Sequence, residues 1–202
     1  MSRYRGPRLK ILRRLGPLAG LKRNNDSIRK NSPGQHGKDI KKQKIGPYNL
    51  RLREKQKLKF NYGLSEKQLL NFVKKAYRLK ESTGIALLKM LEMRLDTIVF
   101  RLGWGNSIAT ARQLVNHGHI LVNDKNINIP SFICKVGDNI ALNSKISKNQ
   151  QVLSSVNCPK FLELAATKTK AVIKNIVSPN EFTISVDELL VVEYYSRKTK
   201  KD

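Results

Sequence analysis

Apolar residues keep a helical rhythm from about residue 65 and change to an alternating rhythm near residue 120. Ser65 followed by Gln68 makes a capping-box start. Leu69, Phe72, Val73, Ala76 and Tyr77 then share one face, predicting a core-facing helix, while Lys67, Lys74, Lys75, Arg78 and Lys80 take much of the remainder. Gly84 interrupts the pattern. Leu88, Leu91, Leu95, Val99 and Leu102 recur at three- and four-residue steps and predict a second helix over about 85–102. Ser107 can cap a third helix, with Ile108, Ala111 and Val115 inward, Arg112 and Asn116 four apart on the outer side, and Gly118 as its stop. Ile120, Val122, Ile127, Ile129 and Phe132 through Cys134 suggest short strands around a turn at Asn123-Asp124-Lys125-Asn126. Val136-Gly137-Asp138 reads as a second tight turn before a final strand at Asn139 to Leu142.

The flanks are less regular. Residues 1–60 are punctuated by Gly6-Pro7, Gly16-Pro17, Pro33-Gly34 and Gly46-Pro47, which favour turns over long helices. With few large apolar residues, this arm is expected to order on a partner rather than around its own core; a plain solvated tail is the alternative, against which stand Tyr4 and Tyr48. Lys145 to Cys158 is polar, and Ala165 to Val177 suits helix or strand equally. Leu189-Leu190-Val191-Val192 within Val186 to Arg197 restores a clear apolar signal. There is no internal repeat.

Charge narrows the function. Among 202 residues, 40 Lys and Arg oppose 15 Asp and Glu, for a formal charge of +25. The first 60 residues hold 19 of the cations and 3 of the anions, hence 16 of the net positive charges. Such a chain suits a polyanion, because each phosphate it neutralises releases counterions. An anionic membrane surface is the competing partner, but no apolar run approaches the roughly 20 residues of a spanning helix. A surface-bound helix would need aromatic anchors, and aromatic content is 6%. Nucleic acid is favoured and no membrane is expected. Cys134 and Cys158 stand 24 positions apart without a CxxC, so no metal is expected and both read as reduced, structural thiols. The N-terminus shows neither a signal peptide nor a clear transit peptide, so the chain is expected to be made where it works.

The candidate chemistry is binding. Arg112, Gln113, Asn116, His117, His119, Asn123 and Lys125 fall within 14 positions, combining cations for phosphates with amide and imidazole groups for sugars and base edges. Gly118 lets a backbone approach between the two histidines. His117 and His119 also suit capping or packing, and lack the nearby partners of metal ligands. Arg94-Leu95-Asp96 matches a segment whose aspartate is catalytic in pseudouridine synthases. Here Leu95 lies on the apolar face of a predicted helix, so Asp96 reads as an ion-pair or capping partner. There is no P-loop, no Gly-x-Ser-x-Gly elbow and no paired His/Cys arrangement. The chain does not read as an enzyme, and no cofactor is expected.

Residues 94–140, through Arg94-Leu95-Asp96, Arg101-Leu102-Gly103, Ala111-Arg112-Gln113-Leu114-Val115, His117 to Asp124 and Val136 to Ile140, resemble the RNA-binding module named after ribosomal small-subunit protein four. Ser2 to Lys10, Arg13-Arg14-Leu15-Gly16, Ser32 to Gly37, Leu50 to Leu58 and Tyr62 to Gln68 resemble that ribosomal protein family itself, in its plastid and cyanobacterial branch. The likeness loosens between Lys145 and Val177, where Asn157-Cys158-Pro159 only echoes the family's usual segment.

The resemblance implies an α+β fold: a basic arm (1–60), a helical domain (61–93), an inserted small α/β RNA-binding module (94–145) and a C-terminal segment (146–202) packing back on the helices. It implies a structural constituent of the small ribosomal subunit, in a plastid or alternatively a bacterial cytoplasm. Such a protein binds small-subunit ribosomal RNA at a junction in the 5′ domain, nucleates assembly of the subunit body, and contacts ribosomal small-subunit protein five and other small-subunit proteins. The contact with protein five is tied to translational accuracy. The implied RNA-binding residues are Arg3, Arg5, Arg8, Lys10, Arg13, Arg14, Arg51, Arg53 and Lys55 in the arm. In the module they are Arg112, Gln113, Asn116, His117, His119, Asn123 and Lys125. The alternative is a stand-alone RNA-binding or RNA-modifying factor carrying the same module.

Overall fold

Proline and glycine mark helix ends in this chain more often than they interrupt helices. Helix α1 (Arg8–Leu15) begins directly after Pro7 and ends at Gly16, whose φ of 96° only glycine adopts without strain. Helix α2 (Pro47–Asn61) starts with Pro47 at its first position, where the missing N–H costs nothing. The computed structural model describes residues 4, 6–21, 31–37, 46–143, 158–182, 184 and 186–199. Within them the expectation of an arm of turns without a core is corrected. Ile11, Leu12, Leu15 and Leu18 form a buried cluster, with Leu21 and Phe60 against it. Gly20 donates its amide to Asn61 Oδ1 at 2.9 Å. A Cβ there would lie 1.9 Å from the Asn61 carbonyl oxygen, so glycine is required for this closure.

Two compact units divide the chain: Met1–Leu87 with Ile184–Asp202, and Leu88–Thr183. In the first, helix α3 (Glu66–Ala76) opens with the expected capping box, Gln68 N donating to Ser65 Oγ at 3.3 Å and Ser65 N to Gln68 Oε1 at 3.1 Å. Leu69, Val73 and Ala76 are fully buried. The C-terminal helix, here α7 (Glu188–Thr199), packs against α2 and α3. Its buried Tyr195 donates to Glu66 Oε1 at 2.9 Å, and Tyr77 donates to the Val192 carbonyl at 3.2 Å.

The helix expected over 85–102 is two helices, the first of them running across the boundary between the units. Helix α4 (Thr83–Glu92) ends before Met93, and α5 (Leu95–Arg101) begins after an extended Arg94 with ψ of 142°. The break is bought by hydrogen bonds from outside the helix. Leu95 N donates to Phe132 O at 2.8 Å and Asp96 N to Pro130 O at 3.2 Å, and Cys134 N returns to Met93 O at 2.9 Å. The 127–134 segment therefore caps α5 and is not the strand its apolar residues suggested; only Ile133 makes an isolated bridge, to Arg94. Helix α6 (Ile108–Asn116) follows, its Thr110 amide capped by Ser107 at 3.3 Å.

Strands β1 (Ile120–Val122), β2 (Lys125–Asn126), β3 (Asn139–Leu142), β4 (Leu162–Leu164) and β5 (Lys170–Ile173) form an antiparallel sheet in the order β2-β1-β3-β5-β4. Ile120 pairs with Leu142 and Val122 with Ile140, so the buried side chains of both strands share one face. Ala171 opposite Ile140 continues that face into β5. The sheet thus runs beyond the expected boundary at residue 145. The ambiguous 165–177 stretch contributes a strand here, and only the chain from Ile184 onward joins the first unit. Ladder pairing with β3 outweighs sequence adjacency to α7. Residues 144–157 lie outside the described residues. The resulting architecture is the expected α+β class, seven α-helices and one small sheet among the described residues.

Candidate nucleic-acid interface

The second unit presents two adjoining turns. At the first, α6 ends at Asn116 and the chain reverses through Gly118, with φ of 72°. Gly118 N donates to Val115 O at 2.9 Å and His119 N to Leu114 O at 3.1 Å, satisfying the last helical carbonyls. A Cβ on Gly118 would meet the Asn126 side chain at 3.0 Å, so this turn rests against β2. The second turn joins β1 to β2 through Asn123 (φ 50°) and Asp124 (φ 62°), two left-handed residues in succession, as a tight hairpin requires.

These turns bring together much of the expected module set. Gln113, His117 and Lys125 are exposed, and Asn116 and His119 are half-buried. The two imidazoles meet edge to face, centroids 5.7 Å apart at 77°. His119 is also tied by its carbonyl, which accepts from Asn143 N at 2.9 Å.

Two members differ from expectation. Arg112 does not stand on the outer side of α6. Its guanidinium meets Asp96 Oδ2 at 2.6 Å, and its side chain is only 11% exposed. Asp96 is completely buried, also paired with Arg94 at 2.8 Å, and accepts the Thr97 amide at 3.0 Å. A buried carboxylate holds two guanidiniums because their charge and hydrogen bonds offset its desolvation. Asp96 is therefore both the ion-pair and the capping partner its place in the helix suggested. Asn123 differs only in that, though exposed, its side chain is also bonded within the protein. Its Nδ2 donates to Asp138 Oδ1 at 2.8 Å and its Oδ1 accepts from Asn139 N at 2.9 Å.

The arm residues divide in the same way within the first unit. Arg8, Lys10 and Arg14 are exposed on α1. Arg13 donates to the Asn31 carbonyl at 2.8 Å, and Arg53 to the Arg14 carbonyl at 3.2 Å. Arg51 pairs with Glu193 at 2.6 Å. Lys55 is corrected outright: it is buried, its Nζ 2.8 Å from Glu66 and 4.7 Å from the Tyr194 ring centroid. Arg3 and Arg5 lie outside the described residues.

Titration follows the packing. Burial pushes the Glu66 carboxyl up, but hydrogen bonds from Lys55 and Tyr195 and the charges of Lys55 and Lys59 outweigh it, leaving the group below its ordinary value. Burial first, then the Glu66 hydrogen bond, raises the Tyr195 phenol. Cys134 is pushed up to about 12 by burial and by Asp138 and Asp96, which keeps it an unreactive thiol.

Sequence reasoning missed the partners of these residues. Asp138 was seen only as part of a turn. Trp104, fully buried, donates its indole N–H to the Lys168 carbonyl at 2.9 Å, pinning the β4–β5 turn. The Arg101–Glu92 pair is buried as well. None of these pairings has a sequence signal beyond the residue types themselves. Among the described residues no group of three or more His, Cys, Asp or Glu side chains could hold a metal, and no helix is long and apolar enough to cross a membrane.

An α+β unit offering amide, imidazole and ammonium groups on two adjoining turns, in a chain of +25, defines a nucleic-acid-binding class of protein. Residues 93–140 match the model of the S4 domain, and residues 3–92 match that of the ribosomal protein S4/S9 N-terminal domain. The chain is 50% identical to small ribosomal subunit protein uS4c of Trieres chinensis, over 98% of this chain and all of that one. It is 52% identical to small ribosomal subunit protein uS4 of Thermosynechococcus vestitus and 50% identical to uS4c of Chlorella vulgaris, at the same coverage. The chain belongs to the ribosomal protein S4 family. That family is structural and not enzymatic, so the Arg94-Leu95-Asp96 segment serves the fold.

Proposed function

We propose that this protein is a structural component of the small ribosomal subunit of a plastid, binding ribosomal RNA and neighbouring ribosomal proteins. The observation that carries the reading is the family likeness, which spans residues 3–140 in the two domain models and 98% of the chain in plastid and cyanobacterial relatives. Its RNA target is a helical junction in the 5′ domain of small-subunit RNA, and it nucleates assembly of the subunit body there. Its protein neighbours include ribosomal small-subunit protein five, through which it contributes to translational accuracy.

The exposed and half-buried side chains support the mode of binding. Arg8, Lys10 and Arg14 on α1 suit phosphates, while Gln113, Asn116, His117, His119 and Lys125 offer mixed contacts to backbone and sugar. Recognition is thus of shaped RNA rather than of a linear sequence. The test is affinity for a 5′-domain transcript against an equal length of unrelated structured RNA across a salt series. A preference of about a hundredfold, about 2.7 kcal/mol, is expected to survive moderate salt. Equal affinities that collapse together would reduce the protein to a generic polycation.

A further inference from the structure

A carboxylate beside an RNA-facing turn repels phosphate, and besides the exposed Asp124 in the β1–β2 turn itself, Asp138 stands against that hairpin. The structure shows how its charge is occupied. Asp138 Oδ1 accepts from Asn123 Nδ2 at 2.8 Å, and Oδ2 accepts from the Lys135 amide at 2.8 Å. Asn123 Oδ1 in turn accepts the Asn139 amide at 2.9 Å, and Asn123 N donates to Asn139 O at 2.8 Å. The first residue of the hairpin turn is thereby bound through its side chain to Asp138, in the turn that precedes β3, and through side chain and backbone to Asn139, the first residue of β3. The backbone bond extends the β1–β3 ladder by one residue, and the side-chain bonds add to it on the side where β2 offers little. β2 is two residues long, and both of them are exposed. A two-residue edge strand contributes little rigidity of its own.

We propose that Asn123 and Asp138 form a clamp that sets the pose of the β1–β2 turn and so positions Lys125 against the RNA backbone. Asn123 is a positioning residue in this arrangement, not an RNA contact. Both ends of its amide are used within the protein, although Asn123 is itself exposed, as is Lys125 two residues on. Positioning matters because a charge-assisted hydrogen bond to phosphate depends on geometry within a few tenths of an ångström. The inference rests on the reading of these turns as the RNA-facing surface.

The experiment measures affinity and salt slope for the 5′-domain transcript, alongside thermal unfolding, in five variants of the full chain. Asn123→Gly keeps the left-handed backbone but removes the clamp. Asn123→Asp sets two carboxylates against each other. The double variant Asn123→Asp with Asp138→Asn reverses the polarity of the clamp at unchanged net charge, leaving an amide donor, a carboxylate acceptor and oxygen acceptors for both backbone amides. Lys125→Ala and Gln113→Ala report on the surface itself.

Asn123→Gly and Asn123→Asp are expected to weaken binding about fivefold or more, near 1 kcal/mol, with little change in unfolding temperature. The double variant is expected to recover most of that loss. Lys125→Ala should lower the salt slope by about one phosphate contact, and Asn123→Gly by no more than that. Failure of the double variant to recover affinity would overturn the clamp and make Asn123 a direct contact. Wild-type affinity in both single variants, with Lys125→Ala still impaired, would overturn the clamp while leaving the RNA-facing surface intact. Wild-type affinity in Lys125→Ala and Gln113→Ala would remove the surface, and the clamp's role with it.

Discussion

At the scale of single residues, the chain spends several of its charges on itself. Asp96 is the clearest case, a fully buried carboxylate shared by Arg94 and Arg112. Replacing it by Asn removes the carboxylate charge from beside two guanidiniums in a low-dielectric setting. Asp96→Asn should cost about 3–5 kcal/mol in chemical denaturation, and a loss below about 1 kcal/mol would show the network to be dispensable. Arg112 illustrates why the site was only partly legible. Its residue type and its place on α6 were consistent with an RNA contact. Whether it faces solvent depended on Asp96, 16 positions away, whose burial no local pattern announces. Lys55 failed for the same reason, its partner Glu66 lying on the next helix.

At the scale of elements, caps and turns decided where helices stop, and most of these were written locally. Ser65 with Gln68, Ser107 and Gly118 each act where their chemistry placed them. Gly118→Ala should cost about 1–2 kcal/mol, because alanine at positive φ is strained and its Cβ crowds Asn126. The break between α4 and α5 was not legible, since its capping carbonyls come from Pro130 and Phe132. Helix α7 is held by Tyr195 on Glu66 and by Glu193 on Arg51. Tyr195→Phe should lower stability by about 1 kcal/mol, a charge-assisted hydrogen bond discounted for a half-exposed carboxylate. Because the Glu66 carboxyl is held below its ordinary value of 4.5, its contribution is fully present above that pH. It is lost as pH falls through the lower folded value. Unfolding followed from pH 6 to pH 3 should show this loss in the wild type and a reduced slope in Glu66→Gln.

At the scale of the whole molecule, charge dominates. A chain of +25 should bind RNA with a steep salt dependence. Replacing the exposed Arg8, Lys10 and Arg14 together by Ala should lower the log–log slope by about 2–3 without a loss of stability. Lys55→Ala should do the reverse, leaving the slope unchanged and destabilising the first unit, because Glu66 and the Tyr194 face lose the buried ammonium and Glu66 keeps only Lys59, at 3.4 Å. A similar slope change in both would mean that the buried and exposed cations are not distinguished by their packing.

Periodicity, capping residues and charge, all local or additive properties, were enough to determine the α+β class, the helices around Ser65 and Ser107, the tight hairpin and a polyanionic partner. Long-range pairing decided the rest. The β3–β5 ladder assigned residues 170–173 to the sheet, the 130–134 segment split one apolar helix into two, and the counter-ions of Arg112 and Lys55 determined that these two cations turn inward. A side chain's type states what it can bind. Which partner reaches it first depends on distances between residues far apart in the chain, and those exist only once it has folded.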